Sequence, residues 1–249
     1  MSEREPFIRY VDLHKGFGPH AVLRGVTLEV HRGETVVVLG GSGSGKSVLL
    51  RHTIGLHRPE RGEVWVDDTE ITSLEEDELL DTRKKVGMLF QAGALFDSMT
   101  VYDNVAFALH EHTRWDEEKV RERVMEVLGL EELEEVEELM PADLSGGMRK
   151  RVALARAVAL APQAILYDEP TTGLDPITAN TINHLIRSLQ KRLGVTSIVV
   201  THDIHSAFTV GDSIAFLYDG SILFHGPVAE AKEAPVPRLR NFLQGGGYA

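Results

Sequence analysis

Cysteine is absent from this 249-residue chain, which excludes a disulfide framework and any thiolate metal site. That fits a cytosolic protein. Basic residues are few beside acidic ones: 26 Lys and Arg against 38 Asp and Glu, a net charge of −12. Binding nucleic acid through its phosphates needs clustered Lys and Arg, so that class is disfavoured. Charge alone gives no adhesion to an anionic membrane either. Long apolar runs are missing as well. The longest, such as 35–39 and 197–200, are strand-length and far short of the ~20 residues that cross a bilayer. The opening MSEREPFIRY (Met1–Tyr10) holds no apolar h-region, so no secretory signal is expected. No repeat at solenoid periods is visible.

What is present is globular: 43% hydrophobic and 26% charged residues, enough for a sizeable core. Residues 7–30 read as short β structure with turns at Gly16–Gly18 and Arg24–Gly25. Residues 35–39 form a continuous β-branched run, the pattern of a strand buried on both faces. A glycine-rich loop and a helical pattern from Ser47 follow. Residues 62–66 read as a further strand and 74–85 as a charged helix. Residues 116–139 are helix formers with Val120, Val124, Val127 and Leu128 at helical spacing. The acidic run Glu131–Glu138 reads as a solvated helix surface rather than a cation site. Residues 147–159 form an alanine- and arginine-rich helix. Strands at 164–167, 197–200 and 213–218 then alternate with helices at 177–193 and 204–210, which predicts a mostly parallel sheet. The whole chain, 1–249, reads as one α/β domain: a core over about 1–92 and 162–249, with a helical insertion over about 93–161. The last residues, Gln244–Ala249, read as a flexible tail.

Gly40-Gly41-Ser42-Gly43-Ser44-Gly45-Lys46-Ser47 fits G-x-x-x-x-G-K-[ST] between a strand and a helix, the context this phosphate loop requires. Glycines let successive backbone N–H groups curl around an anion, and the helix start adds unpaired donors. Lys46 offers a charge to β- and γ-phosphates. The Ser47 hydroxyl suits Mg²⁺, which takes hard oxygen ligands. A glycine-rich turn with an incidental lysine is the competing reading, and the loop alone does not separate a kinase, a GTPase and a transport ATPase.

The strand Ala164–Tyr167 ends in Asp168-Glu169. Ligands of parallel sheets sit at the carboxyl ends of the strands, so this pair should stand beside the phosphate loop. Asp168 can hold Mg²⁺. Glu169, pointing elsewhere, is the candidate to deprotonate the attacking water. Solvated strand-end acids are the alternative.

Leu144-Ser145-Gly146-Gly147-Met148 is similar to the LSGGQ signature of ATP-binding cassette proteins, with Met148 in place of Gln. A hydroxyl, two glycines and a helix start suit a second phosphate clamp. The resemblance implies the ATP-binding cassette fold: a P-loop NTPase, RecA-like core with an antiparallel β subdomain and a helical insertion. It also implies a head-to-tail homodimer in the ATP-bound state, with two ATPs at the interface and Ser145, Gly146 and Gly147 closing on the partner's nucleotide. Gln91 then matches the glutamine that touches Mg²⁺ and water. Asp175, in Gly173-Leu174-Asp175-Pro176, matches the loop across the dimer interface. His202 matches the switch histidine at the γ-phosphate, and Phe17 the aromatic that stacks on adenine. The other histidines lack motif context and are expected at the surface.

A narrower resemblance runs through Phe90–Phe96, Met99–Val105, Leu139-Met140-Pro141, Met148 and Pro237–Leu243. These segments look like the Mla/Mce lipid-transport ATPases. That likeness implies a phospholipid substrate, a membrane permease, a periplasmic lipid-binding MCE subunit and, in some members, a small cytosolic accessory subunit. The chain would then sit peripherally on the cytoplasmic face of the inner membrane. The runner-up is the ATPase of an amino-acid or other small-solute importer. A soluble cassette working on DNA or ribosomes ranks lower: no heptad array lies between Lys46 and Ser145, one cassette is present, and the charge is acidic.

Overall fold

The computed structural model describes residues 5–245; the last four residues of the expected tail, 246–249, and the first four of the opening stretch lie outside them. Strands β1 (Pro6–Phe17) and β2 (His20–His31) form an antiparallel hairpin turned at Gly18. Arg24–Gly25 is not the expected turn. Leu13 pairs with Val26 and His14 with Arg24, so Gly25 is the extra residue of a β-bulge, at φ +83°, a conformation glycine adopts without a Cβ clash. β3 (Thr35–Leu39) is buried at every position. The glycine loop leads into α1 (Lys46–His52). β4 (Arg61–Val66) and the short β5 (Thr69–Glu70) complete an antiparallel sheet of order β2-β1-β4-β5.

After α2 (Glu76–Lys85) and β6 (Val86–Leu89) come three packed helices: α3 (Val101–His112), α4 (Glu117–Leu130) and α5 (Gly146–Val158). Their starts are set by side chains that accept a backbone N–H: Thr100 from Asp103, Asp116 from Lys119, Ser145 from Met148. Each such cap contributes about 1 kcal/mol. The acidic run Glu131–Glu138 is not helix, and it is not wholly solvated: Glu131 is fully buried, with Leu133 and Val136 beside it in the core.

β7 (Ala164–Asp168), α6 (Pro176–Leu193), β8 (Thr196–Thr201), α7 (Ile204–Val210), β9 (Ser213–Tyr218) and β10 (Ser221–Pro227) follow. The chain then runs through the short helices α8 (Val228–Ala231) and α9 (Pro237–Leu243). The second sheet has order β10-β9-β3-β8-β7-β6. All its pairs are parallel except β10 on β9, as the βα alternation predicted.

Strand period two divides the core. Val37, Leu39, Tyr167, Val199 and Phe216 face one side, continuous with α3–α5. Val36, Val38, Leu166, Val200 and Leu217 face the other, continuous with α1 and the antiparallel sheet. The parallel sheet is therefore covered on both faces, which is why its central strands read as unbroken apolar runs. No described helix is long and apolar enough to cross a membrane.

Candidate functional site at the carboxyl ends of the parallel strands

The strand order brings the motifs together. β8 lies between β3 and β7, and β6 flanks β7. Reading across the carboxyl ends, the sheet therefore presents the phosphate loop after β3, His202 after β8, Asp168-Glu169 at β7 and Gln91 after β6. Backbone hydrogen bonds carry the sheet just past its ends: Gly40 N donates to Thr201 O at 3.3 Å and Glu169 N to Val200 O at 3.0 Å.

A cleft of about 580 Å³ opens at this edge, within the size range of nucleotide and small-ligand sites. It is lined by Phe17, Ser42, Gly43, Gly45, Lys46 and Ser47, and also by Gln91, Glu169 and His202. Two loop glycines are needed for different reasons. Gly43, at φ +77°, has nothing within 4 Å of where a Cβ would stand, so its requirement is the backbone conformation. At Gly40 a Cβ would stand 2.4 Å from Leu217 O, so its requirement is close approach to β9. Lys46 is 5% exposed. Its Nζ donates to Gly40 O and Gly41 O at 2.9 Å each and lies 3.4 Å from Glu169 Oε1. Burial lowers its pKa from the ordinary lysine value, and the charges of Glu169 and Asp168 oppose that shift.

The two acids point in different directions, as expected. The Ser47 hydroxyl donates to Asp168 Oδ1 at 2.6 Å. Glu169 sits at φ +48°, a left-handed conformation rare for a non-glycine residue. That turn of the chain directs its carboxylate toward Lys46, and toward His202 Nδ1 at 2.8 Å from Oε2. Thr172 Oγ1 donates to the same Oε2 at 3.1 Å. The arrangement offers a cation, a polarised carboxylate and an imidazole around one opening. The adjoining Ser47–Asp168 pair of hard oxygens suits a magnesium ion, and the turned loop amides suit phosphates.

Ser145, Gly146, Gly147 and Asp175 do not line this cleft. Ser145 caps α5, its Oγ accepting from Met148 N at 3.2 Å. Asp175 caps α6, accepting from the backbone of Ile177 and Thr178 and from Thr178 Oγ1 at 2.6 Å. The two loops touch each other: a Cβ on Gly147 would stand 2.6 Å from Thr178 Cγ2, and one on Gly146 3.6 Å from Leu174 Cδ2. Phe17 stands 44% exposed at the hairpin end, with His57 against it at a centroid distance of 5.5 Å. Sequence reasoning missed Lys150, whose ammonium is buried and donates to Gln91 O. It also placed His52 at the surface. His52 is 1% exposed at the end of α1, and burial pushes its imidazole pKa down to about 4.

Residues 23–172 match the ABC transporter family. This chain belongs to that family. A probable ribonucleotide transport ATP-binding protein, mkl of Mycobacterium tuberculosis H37Rv, is 45% identical over 94% of this chain and 65% of its own length. The chain thus spans about two-thirds of the mycobacterial relatives, 67% for the Mycobacterium leprae protein. The intermembrane phospholipid transport system ATP-binding protein MlaF of Escherichia coli K12 is 41% identical over 92% of this chain and 85% of its own length. Among solved structures, a dimeric post-hydrolysis state of the ATP-binding cassette MJ0796 bound to ADP and Pi superposes with TM-score 0.82 at 37% identity, covering 89% of this chain and 98% of that one. The architecture is the ABC ATPase fold on a P-loop core, and the chain is an ATP-binding subunit of its family.

Proposed function

We propose that this chain hydrolyses Mg-ATP between two copies of itself and so drives a phospholipid-transporting permease. The observation that carries the hydrolytic reading is the convergence of Lys46, Ser47, Glu169 and His202 on one cleft, with Asp168 held against the Ser47 hydroxyl behind it. In this reading Phe17 stacks on adenine, and residues Gly40–Ser47 cradle the phosphates with Lys46 as their point charge. Ser47, Asp168 and Gln91 hold Mg²⁺, which when bound neutralises charge on the β- and γ-phosphates. Glu169 takes the proton of the attacking water, and His202, hydrogen-bonded to it, contacts the γ-phosphate. Ser145, Gly146, Gly147 and Asp175 lie outside their own cleft, which supports their serving the partner's.

The cargo reading rests on the relatives. MlaF carries phospholipid transport in its name and mkl carries ribonucleotide transport. A cytoplasmic-face subunit contacts permease rather than cargo, so the cleft does not choose between them. The segments similar to the Mla/Mce ATPases favour lipid, together with a permease, an MCE subunit and an accessory subunit. We read α3–α5 as the insertion that transmits nucleotide state to the permease.

Glu169→Gln tests the core of the proposal. ATP binding is retained, turnover falls by roughly 10²–10⁴-fold, and the variant elutes as a dimer when ATP is present. Hydrolysis at the wild-type rate would remove Glu169 from the role of base.

A further inference from the structure

Helix α5 carries a buried cation and a half-buried one onto one loop. Lys150, 6% exposed, donates from Nζ to the carbonyl of Gln91. Two turns along, Arg156 donates to Gly93 O at 2.9 Å and to Ala94 O at 2.8 Å. Between them the loop lies directly on the helix: a Cβ on Gly93 would stand 3.5 Å from Ala153 Cβ. Gly93 and Ala94 both take left-handed backbone, at φ +79° and +51°. An unpaired ammonium in such a site would be costly, so the carbonyl contacts fix both partners. The same helix starts at Ser145, and the loop begins at Gln91, which lines the nucleotide cleft.

We propose that Lys150 is a positioning residue that holds Gln91 through its main-chain carbonyl, so that the Gln91 amide and the Ser145 signature move as one body. The inference rests on the reading of Gln91 as a Mg²⁺ contact given above. The Lys150 ammonium is engaged on the Gln91 carbonyl and does not line the nucleotide cleft. A rival role exists: Lys150 also stands within the electrostatic field of Asp168 and Glu169 and could act on the acids directly. Coupling analysis separates the two, because a residue that acts only through Gln91 has nothing left to act on once that side chain is gone.

The test uses the full chain as Lys150→Met, Lys150→Arg, Gln91→Ala and the double variant Lys150→Met/Gln91→Ala. Steady-state hydrolysis is measured against both ATP and Mg²⁺, and hydrogen exchange is measured without nucleotide. Lys150→Met is expected to lower kcat by roughly ten- to a hundredfold, to leave KM for ATP near wild type, and to raise the Mg²⁺ concentration for half-maximal rate. Lys150→Arg restores most of the rate, and the double variant is no slower than the slower single. Exchange rises in the peptide spanning 91–94 and stays at wild-type levels in β3 and β8. Losses that multiply in the double variant overturn the proposal in favour of direct action on the acids. Unchanged exchange at 91–94, or a rise throughout the core, overturns it as well. A wild-type chain that hydrolyses no ATP defeats the functional reading instead, and the exchange measurement still decides whether Lys150 holds the loop.

Discussion

Glu131 shows how far a single residue can depart from its setting in the sequence. It opens an acidic run, yet it is fully buried, and neither carboxyl oxygen has a hydrogen-bond partner among the described residues. Burial lifts its pKa from 4.5 to about 8, with the Arg151 charge opposing and Glu132 adding to the shift. The sign of the consequence follows from linkage. Between pH 4.5 and about 8 the folded chain keeps a proton that the unfolded chain releases, so stability falls as pH rises through that window. Glu131→Gln removes the ionisation. The variant should gain Tm over wild type at pH 8 and show little gain at pH 4.5, read by thermal unfolding at both pH values. An equal shift at both would show that Glu131 is not titrating in the fold. The candidate site residues were legible because each lies in a contiguous motif beside a strand end: Lys46 and Ser47 after β3, Asp168 and Glu169 at β7. Glu131, His52 and Lys150 were not, because their burial comes from elements distant in sequence and no local pattern marks it.

Elements were legible where burial leaves a periodic trace. β3, β7 and β8, covered on both faces, are written as apolar runs, and α4 and α6 as helical stretches, although α4 ends at Leu130 where the pattern reads on to 139. β6 and β10 were not read. β6 is four residues long and contains Gly87, where a Cβ would stand 2.2 Å from Ala157 O of the segment packed on it. β10 is a half-exposed edge strand ending in Gly226-Pro227, which reads as a loop. Two helical glycines show the same dependence on packing. Gly129 in α4 has open space where its Cβ would stand, whereas Gly147 in α5 would meet Thr178 Cγ2 at 2.6 Å. Thr178 cannot readily swing aside because its hydroxyl is held by Asp175. Helix propensity favours Ala over Gly by up to about 1 kcal/mol, while overpacking costs about 1–3 kcal/mol. Gly129→Ala should therefore raise Tm by about 2–4 °C and Gly147→Ala should lower it. A rise in both would mean that the contact between the signature and Asp175 loops yields easily.

At the scale of the whole molecule, the face where α3 and α5 meet β6 is where we expect the permease to dock. A groove of about 400 Å³ lies there, with Phe90, Phe96, Phe107 and Leu160 among its walls and Arg83 and Arg156 at its margin. Phe96 and Phe107 stand 43% and 40% exposed with ring centroids 5.0 Å apart. Of the neighbouring apolar residues, Val101 and Val105 are core, and Leu95 and Tyr102 pack against it, so the Phe96–Phe107 pair is the exposed aromatic part of this face. A paired aromatic patch in a chain of net charge −12 suits an apolar segment of a permease. The loop carrying Phe96 is the one that α5 holds and that begins at Gln91, so pressure on the patch would reach the nucleotide cleft without passing through the sheet. Phe96→Glu tests this. Asn104 fixes the Phe96 backbone through both its N–H and its C=O, so the variant should fold, bind ATP and hydrolyse it at the wild-type rate. In co-purification it should lose the permease. Recovery of the permease at wild-type yield would exclude the groove as the docking face, and loss of the fold in the isolated chain would show that the patch belongs to the core.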